Sequence, residues 1–257
     1  MNIIVTGSTK GIGRETAKLL IQQGHNVLIN GRNEDQLKDQ LLSLDSSKVI
    51  GIAADATNKS GIESIIDLAT KKWSQIDGII LNAGHSMRGS FKDTDTAVWE
   101  QMYVSNLLGP VRFIQSTLPL LRESRAKVMF ISSQGSLFGF PNVIPYSVFK
   151  SALIPLTEGL INEEPLVKWS IFFPGFTQND KDKIIMDSRG HWVRHERKAS
   201  FTQEKTAKAI VKAFYKKKVY NIMGLQGKIL FRLSRIAPGL LFLYTKRKGA
   251  KFHSEVK

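Results

Sequence analysis

The feature that most constrains this chain is its opening stretch, NIIVTGSTKGIGRE, Asn2–Glu15. Ile3, Ile4 and Val5 are β-branched and too few for a helix, so they read as a buried parallel strand. Gly7 lets the backbone turn sharply off the strand end. Gly11 and Gly13 remove side chains where a helix begins, which opens its free N–H groups and positive dipole end to a pyrophosphate. Thr6, Ser8 and Thr9 add hydroxyl groups to the turn. The spacing is G-x-x-x-G-x-G rather than the G-x-G-x-x-G of the common dinucleotide fingerprint. A plain strand–turn–helix junction would look the same, so the rest of the chain has to decide.

Strand and helix signals then alternate. Strands are expected at His25–Asn30, Lys48–Asp55, Ile76–Gly84, Ala126–Ser133 and Val167–Gly175. The first helix is expected from about Ile12 to Gln23, ended by Gly24. Further helix-length stretches lie at Glu34–Leu44, Lys59–Trp73, Thr94–Leu121 and Tyr146–Asn162. This rhythm predicts an α/β fold, a Rossmann-type doubly wound parallel sheet with helices on both faces. Ligands of such sheets bind beyond the carboxyl ends of the strands. Here those ends carry Asp55, Asn82-Ala83-Gly84, Ser132-Ser133 and Pro174-Gly175.

At 257 residues and 42% apolar content, one domain with a real core is expected. There is no cysteine, which suits a reducing compartment and removes thiolate chemistry. A strand from residue 2 leaves no room for a signal peptide, and no apolar run reaches the length of a membrane span. A cytoplasmic location follows as the expectation. The charge is uneven. Residues 1–180 hold 17 Lys and Arg against 17 Asp and Glu, whereas residues 181–257 hold 20 against 5. The chain therefore divides into a core, 1–180, and a basic region, 181–257, of the same domain. A basic region implies an anionic partner or a solvated face. No nucleic-acid-binding module is recognisable in it.

Tyr146 and Lys150 are four apart on an expected helix and share a face. Pro145 suits its first turn. An ammonium near a phenol favours the phenolate. Such a tyrosine can give a proton to a carbonyl oxygen, or take one from an alcohol, as a hydride moves. Ser133 lies at a strand end on the same edge of the sheet.

TGSTKGIG, NAG at Asn82–Gly84, YVSN ending at Asn106, ISS ending at Ser133, YSVFK at Tyr146–Lys150 and PG at Pro174 occur in this order. In these motifs, which span about residues 1–180, the chain resembles the short-chain dehydrogenase/reductase family. The resemblance implies a seven-stranded sheet, dimers or tetramers, and roles for particular residues. Tyr146 resembles the general acid/base, and Ser133 the hydroxyl that holds the substrate oxygen. Lys150 resembles the residue that binds the nicotinamide ribose and tunes the tyrosine. Asn106 resembles the asparagine that supports a proton relay to that lysine. Ser132 competes with Ser133, which is preferred because the family's serine usually follows another serine. The cofactor set is then Gly7, Ser8, Thr9, Lys10, Gly11, Ile12, Gly13, Arg32, Asp55, Asn82, Ala83, Gly84, Tyr146, Lys150, Pro174, Gly175 and Thr177. Within it, Asp55 resembles the adenine-contacting aspartate. Asn82 is expected to hold neighbouring strands while Ala83 and Gly84 line the cleft.

An acid at the end of the second strand would bind an adenosine ribose diol and repel a 2′-phosphate. Gly31 stands there instead, followed by Arg32, with Lys10 in the glycine turn. Two cations and no acid favour NADP(H) over NAD(H).

The chain also departs from the family pattern. Pro155 is expected to kink or shorten the helix carrying Tyr146. Thr177 is nearer to Gly175 than the family's carboxamide-contacting threonine usually is. His191 and His195 lack a carboxylate pattern, so no metal is expected, and RGHWVRHER reads as a basic, aromatic lid helix. The C-terminal mixture of apolar residues with Lys228, Arg232, Arg235 and Lys246–Lys248 suits an anionic membrane surface, a subunit interface or a pocket wall. The leading function is an NADPH-dependent reductase of a ketone, lipid-like or 3-oxoacyl substrates included, with the reverse oxidation open to it. The alternatives are an NAD-preferring alcohol or hydroxysteroid dehydrogenase and a catalytically silent cofactor-binding regulator.

Overall fold

The computed structural model describes residues 1–45, 47–181, 183–194, 199–243 and 245–246. Seven parallel strands form the central sheet: β1 (Asn2–Val5), β2 (Asn26–Gly31), β3 (Val49–Ala53), β4 (Gly78–Leu81), β5 (Lys127–Ile131), β6 (Lys168–Phe173) and β9 (Tyr220–Ile222). Their order is β3-β2-β1-β4-β5-β6-β9, so the chain reverses direction across the sheet between β1 and β4. β7 (Ile184–Met186) and β8 (Trp192–Arg194) make a separate antiparallel pair.

The period of two along each strand builds two cores. Ile3, Val5, Ile80, Met129 and Ile131 face helices α1 (Gly11–Gln22), α2 (Glu34–Leu42) and α7 (Gln203–Phe214). Ile4, Ile79, Leu81, Val128 and Phe130 face α3 (Lys59–Lys72), α5 (Gly109–Ser124) and α6 (Ile144–Glu163). Both faces are covered, which is why these strands are apolar throughout rather than alternating. Helix α8 (Leu225–Ile236) follows β9 and packs Leu230 and Phe231 against the second core.

Two expectations about helices need correction. The stretch Thr94–Leu121 is interrupted: α4 (Thr96–Tyr103) passes into a π-helical turn, Val104–Leu108, before α5. Such turns concentrate at functional sites, and this one holds Asn106. Pro155 does not shorten α6, which continues to Glu163. Only one backbone donor is lost there. Leu153 and Thr157 on either side are buried in the core, and Thr157 Oγ1 donates to Leu153 O at 2.6 Å.

Candidate active site

A cleft of about 1230 Å³ opens at the carboxyl edge of the sheet. One end is the glycine turn after β1. The other is lined by Phe140, Phe176, Ile185 and Trp192. This is the reversal point between β1 and β4, where open α/β sheets take their ligands.

The glycine turn is fitted closely to β4. Gly7 has φ +62°, and a Cβ on it would lie 2.8 Å from Ala83 Cα. A Cβ on Gly13 would lie 2.2 Å from Gly7 O and 2.5 Å from Asn82 Nδ2. Asn82 Nδ2 donates to Thr6 O at 3.1 Å and Gly7 O at 2.9 Å. The N–H groups of Asn82 and Ala83 donate to Thr6 Oγ1, at 3.1 Å each. Asn82 thus ties β4 to the turn, while Ala83 and Gly84 line the cleft with Thr9, Lys10, Gly11, Ile12 and Gly13. Ser8 turns inward instead. It is fully buried, and its Oγ donates to Val5 O at 2.6 Å and accepts from Asn30 N at 2.9 Å. Its hydroxyl joins β1 to β2 and has no place in the cleft wall. Gly13→Ala should lower stability by roughly 1–3 kcal/mol, because the new methyl meets the Gly7 backbone and the Asn82 amide that two hydrogen bonds hold in place. A wild-type melting temperature for that variant would show that the turn can yield.

Sequence reasoning missed Asp180. Its Oδ2 accepts the Gly11 N–H at 2.8 Å, and its Oδ1 accepts from Arg14 Nη2 at 3.2 Å and Gln203 Nε2 at 3.0 Å. A carboxylate therefore sits at the anion-attracting end of α1. No spacing in the sequence announces a contact between residues so far apart.

At the end of β2, a Cβ on Gly31 would lie 2.4 Å from Thr9 Oγ1. A larger side chain there has no room. Arg32 is exposed and lines the cleft with Lys10. Asp55, also in the lining, accepts from Thr57 N at 2.9 Å and Thr57 Oγ1 at 2.7 Å. His85 was also not foreseen. Burial, with the nearby charges of Arg32 and Lys183, pushes its pKa down to about 4, so the ring is neutral at physiological pH. Its ring meets Trp192 edge-on at 5.0 Å.

Ser133, Tyr146 and Lys150 all line the same cleft. The two serines differ in what they bond. Ser132 Oγ is buried, donates to Lys150 O at 2.8 Å and is paired with Ser136 Oγ at 2.9 Å. It ties β5 to α6. Ser133 Oγ accepts Gly135 N at 3.0 Å and is only half-buried. Lys150 Nζ is buried and donates to Ile131 O at 2.8 Å, and burial pushes its pKa down to about 8. Asn106 is fully buried, with Nδ2 donating to His85 O at 3.0 Å and Met102 O at 3.1 Å. Its Oδ1 is buried with no hydrogen-bond partner among the described residues. A Cβ on Gly84 would lie 2.7 Å from that oxygen and 3.2 Å from Lys150 Nζ, so glycine keeps the space between them open.

Pro174 and Gly175 line the cleft beside Ser133. Thr177 is 2% exposed, and its Oγ1 donates to Gly175 O at 3.0 Å and is paired with Thr206 Oγ1 at 2.9 Å. The described part of the expected lid helix is not helical: Trp192–Arg194 is a strand paired antiparallel with Ile184–Met186. Its three side chains are exposed, and its backbone pairs across the hairpin rather than along a helix. His191 Nδ1 lies 3.3 Å from Asp187 Oδ2, and His195 lies outside the described residues.

Comparison with known proteins agrees with this geometry. A family model described as short chain dehydrogenase matches residues 1–187. The chain is 30% identical over 161 residues to an uncharacterized oxidoreductase of Staphylococcus epidermidis, covering 62% of this chain and 70% of that protein. It is 31% identical over 160 residues to the uncharacterized oxidoreductase YvrD of Bacillus subtilis, of which the match spans 60%. Among solved structures, a short-chain dehydrogenase from Streptomyces avermitilis superposes with a TM-score of 0.80, 22% identity and coverage of 97% and 98% of the two chains. A Burkholderia phymatum short-chain dehydrogenase/reductase, solved in complex with NAD, gives 0.78 at 18% identity over 90% and 92%. A Thermococcus sibiricus alcohol dehydrogenase, complexed with 5-hydroxy-NADP, gives 0.74 at 19% identity over 86% and 95%. At these identities the structural likeness concerns the fold.

Proposed function

This chain belongs to the short-chain dehydrogenase/reductase family of NAD(P)-dependent oxidoreductases, and on that premise we propose that it is an NADPH-dependent reductase of a ketone. The reading is carried by one arrangement: Ser133, Tyr146 and Lys150 line a single cleft whose other end is the glycine turn. When bound, the nicotinamide supplies a hydride in reduction or accepts one in oxidation. Ser133 Oγ holds the carbonyl oxygen, and the Tyr146 hydroxyl gives it a proton as charge develops there. The Lys150 ammonium, oriented by its bond to Ile131 O, favours the phenolate that remains. Asn106 Oδ1, buried with no hydrogen-bond partner among the described residues and close to Lys150 Nζ around Gly84, is suited to accept a proton-relay hydrogen bond beside that lysine.

The fit to a dinucleotide is supported by the tight glycine turn and by the acid-free end of β2. Lys10 and Arg32 supply cations for a 2′-phosphate, and Gly31 cannot carry a carboxylate without displacing Thr9. Arg32→Ala should weaken NADPH by roughly 1.5–3 kcal/mol more than NADH, the scale of a lost charge-assisted hydrogen bond. Fluorescence titration with both cofactors checks this, and equal weakening would remove Arg32 from phosphate reading.

In this reading residues 1–180 form the cofactor and catalytic core. Residues 181–257 supply the substrate side and the basic face, with Thr177 and Pro174-Gly175 at the boundary. The partner is a small carbonyl or alcohol compound, and the working unit is a homodimer or homotetramer in the cytoplasm, with peripheral membrane contact. Purified protein assayed with NADPH and NADH against 3-oxoacyl thioesters, steroids and small ketones tests it. NADPH consumption with a ketone is expected. Faster turnover with NADH would favour the alcohol-dehydrogenase alternative, and binding without any turnover would favour a silent regulator.

A further inference from the structure

The outer face of α8 is used neither by the core nor by the cleft, and in the segment after it only Leu241 is buried among residues 240–243. On the inner face Gly227 is buried, and Leu230 and Phe231 pack inward. The ring of Phe231 lies 5.3 Å from Tyr220 and 5.9 Å from Phe173. Arg235 Nη2 bonds Glu158 Oε1 at 3.0 Å, and the Tyr220 hydroxyl donates to the same oxygen, so the helix is clamped to α6 and β9. The outward stripe is different in kind. Leu225, Ile229 and Ile236 are 75%, 49% and 82% exposed, with exposed Lys228 and Arg232 between them. Positions 225, 229, 232 and 236 recur at the helical period and share one face. Beyond α8, Leu240, Phe242 and Leu243 are also exposed. From Ile222 onward the sequence holds eight Lys and Arg and a single acid, Glu255.

Exposed apolar residues interleaved with cations, almost without acids, are complementary to an anionic lipid surface. They are poorly matched to a second copy of the same face, where cation would meet cation. Among the described residues no helix is long and apolar enough to cross a membrane, so the fit is to a surface.

The opposite, inner face of the same helix adjoins the cleft. Gln134, which follows Ser133 and lines the cleft, donates from Nε2 to Met223 O at 2.6 Å, just before α8. A Cβ on Gly227 would lie 2.2 Å from that Nε2, so the first turn of α8 is pressed onto the segment beside Ser133. Phe140 and Phe176, 6.1 Å apart, give this end of the cleft an apolar wall.

We propose that α8 and the segment to Leu243 lie on an anionic lipid surface, and that the cleft takes its ketone from that surface as an amphiphile with an apolar chain. The substrate half rests on the reductase reading above; the docking half does not. Lys246 is exposed, whereas Arg247 and Lys248 lie outside the described residues.

Co-sedimentation of the full chain with vesicles of phosphatidylcholine, alone or mixed with phosphatidylserine, tests the docking half without any turnover. Binding is expected only to the mixed vesicles, falling as salt screens the charges and leaving an apolar remainder. Lys228→Glu with Arg232→Glu should weaken it by at least about tenfold. Ile229→Asp with Ile236→Asp should abolish the salt-resistant remainder. These side chains are exposed, so melting temperature and NADPH affinity should stay at wild-type values and report that the variants fold. Docking is overturned if wild-type protein ignores mixed vesicles at low salt, or if the charge-reversed variant binds as well as wild type. It is also overturned if Ile229→Asp with Ile236→Asp instead splits an oligomer, because the face is then covered by a second copy. For the substrate half, a long-chain ketone presented in mixed vesicles should be reduced faster than in phosphatidylcholine alone. Lys228→Glu with Arg232→Glu should lose that advantage while turning over a short soluble ketone normally. If no ketone is reduced in any form, the reductase reading and the substrate half fall together, and sedimentation still decides docking.

Discussion

Replacing Tyr146 with Phe is expected to lower turnover by roughly 10²-fold or more, the range of general acid–base catalysis. The ring packs beside Met87, Val98, Met102 and Met186, and phenylalanine preserves that packing. Cofactor affinity and melting temperature should therefore change little. The loss should appear in the single-turnover rate, where release of product cannot mask it. A variant that turns over at the wild-type rate on a substrate whose chemical step limits would remove Tyr146 from the proton-donor role.

Lys150→Met should cost turnover on a similar scale, because it removes the charge that favours the phenolate. It also makes a prediction about stability whose sign is independent of catalysis. Burial lowers the ammonium's pKa from 10.5 to about 8 in the folded protein. Between these two values the unfolded chain holds more protons than the folded one, so wild-type stability should rise with pH across that window. Below about pH 8 the folded protein bears the full cost of a buried cation. Above the ordinary lysine value that cost is gone. Methionine at 150 cannot titrate, so the wild-type minus variant difference should be flat at neutral pH and climb through the alkaline window. Its offset includes roughly 1–3 kcal/mol for leaving Ile131 O without its donor. Urea unfolding of the two proteins over a pH series measures it. Parallel pH curves would mean that Lys150 is not desolvated.

Much of the fold was legible because its signals are local. Ile3–Val5 into Gly7, or Gly24 with φ +84° after α1, need only a few neighbouring residues to act. The β2 strand runs one residue past its expected end because Gly31 pairs with Ala53 on β3, a contact that lies outside any window around Gly31. β9 was not singled out as a strand: Tyr220–Ile222 is three residues long and owes its state to pairing with β6. The hairpin of β7 and β8 stands where a helix is expected for a similar reason. Arg189–Arg194, which includes β8, is basic and aromatic, which suits an exposed helix as well as a strand.

What the sequence determined by itself was the alternation of strands and helices as far as β6, the glycine turn and the grouping of Ser133, Tyr146 and Lys150 at one edge. Those follow from hydrophobic period, turn chemistry and the direction shared by parallel strands. What only the tertiary structure decided was the direction in which each polar group spends its hydrogen bonds. Ser8 and Ser133 both follow a strand, yet one hydroxyl joins β1 to β2 and the other belongs to the cleft wall. Asp180, 169 residues on in sequence, reaches the N-terminus of α1, and Lys150 is buried with Nζ donating to Ile131 O. A buried polar group must be satisfied by whichever partner the packing brings within reach, and that partner is set by contacts between residues far apart in the chain.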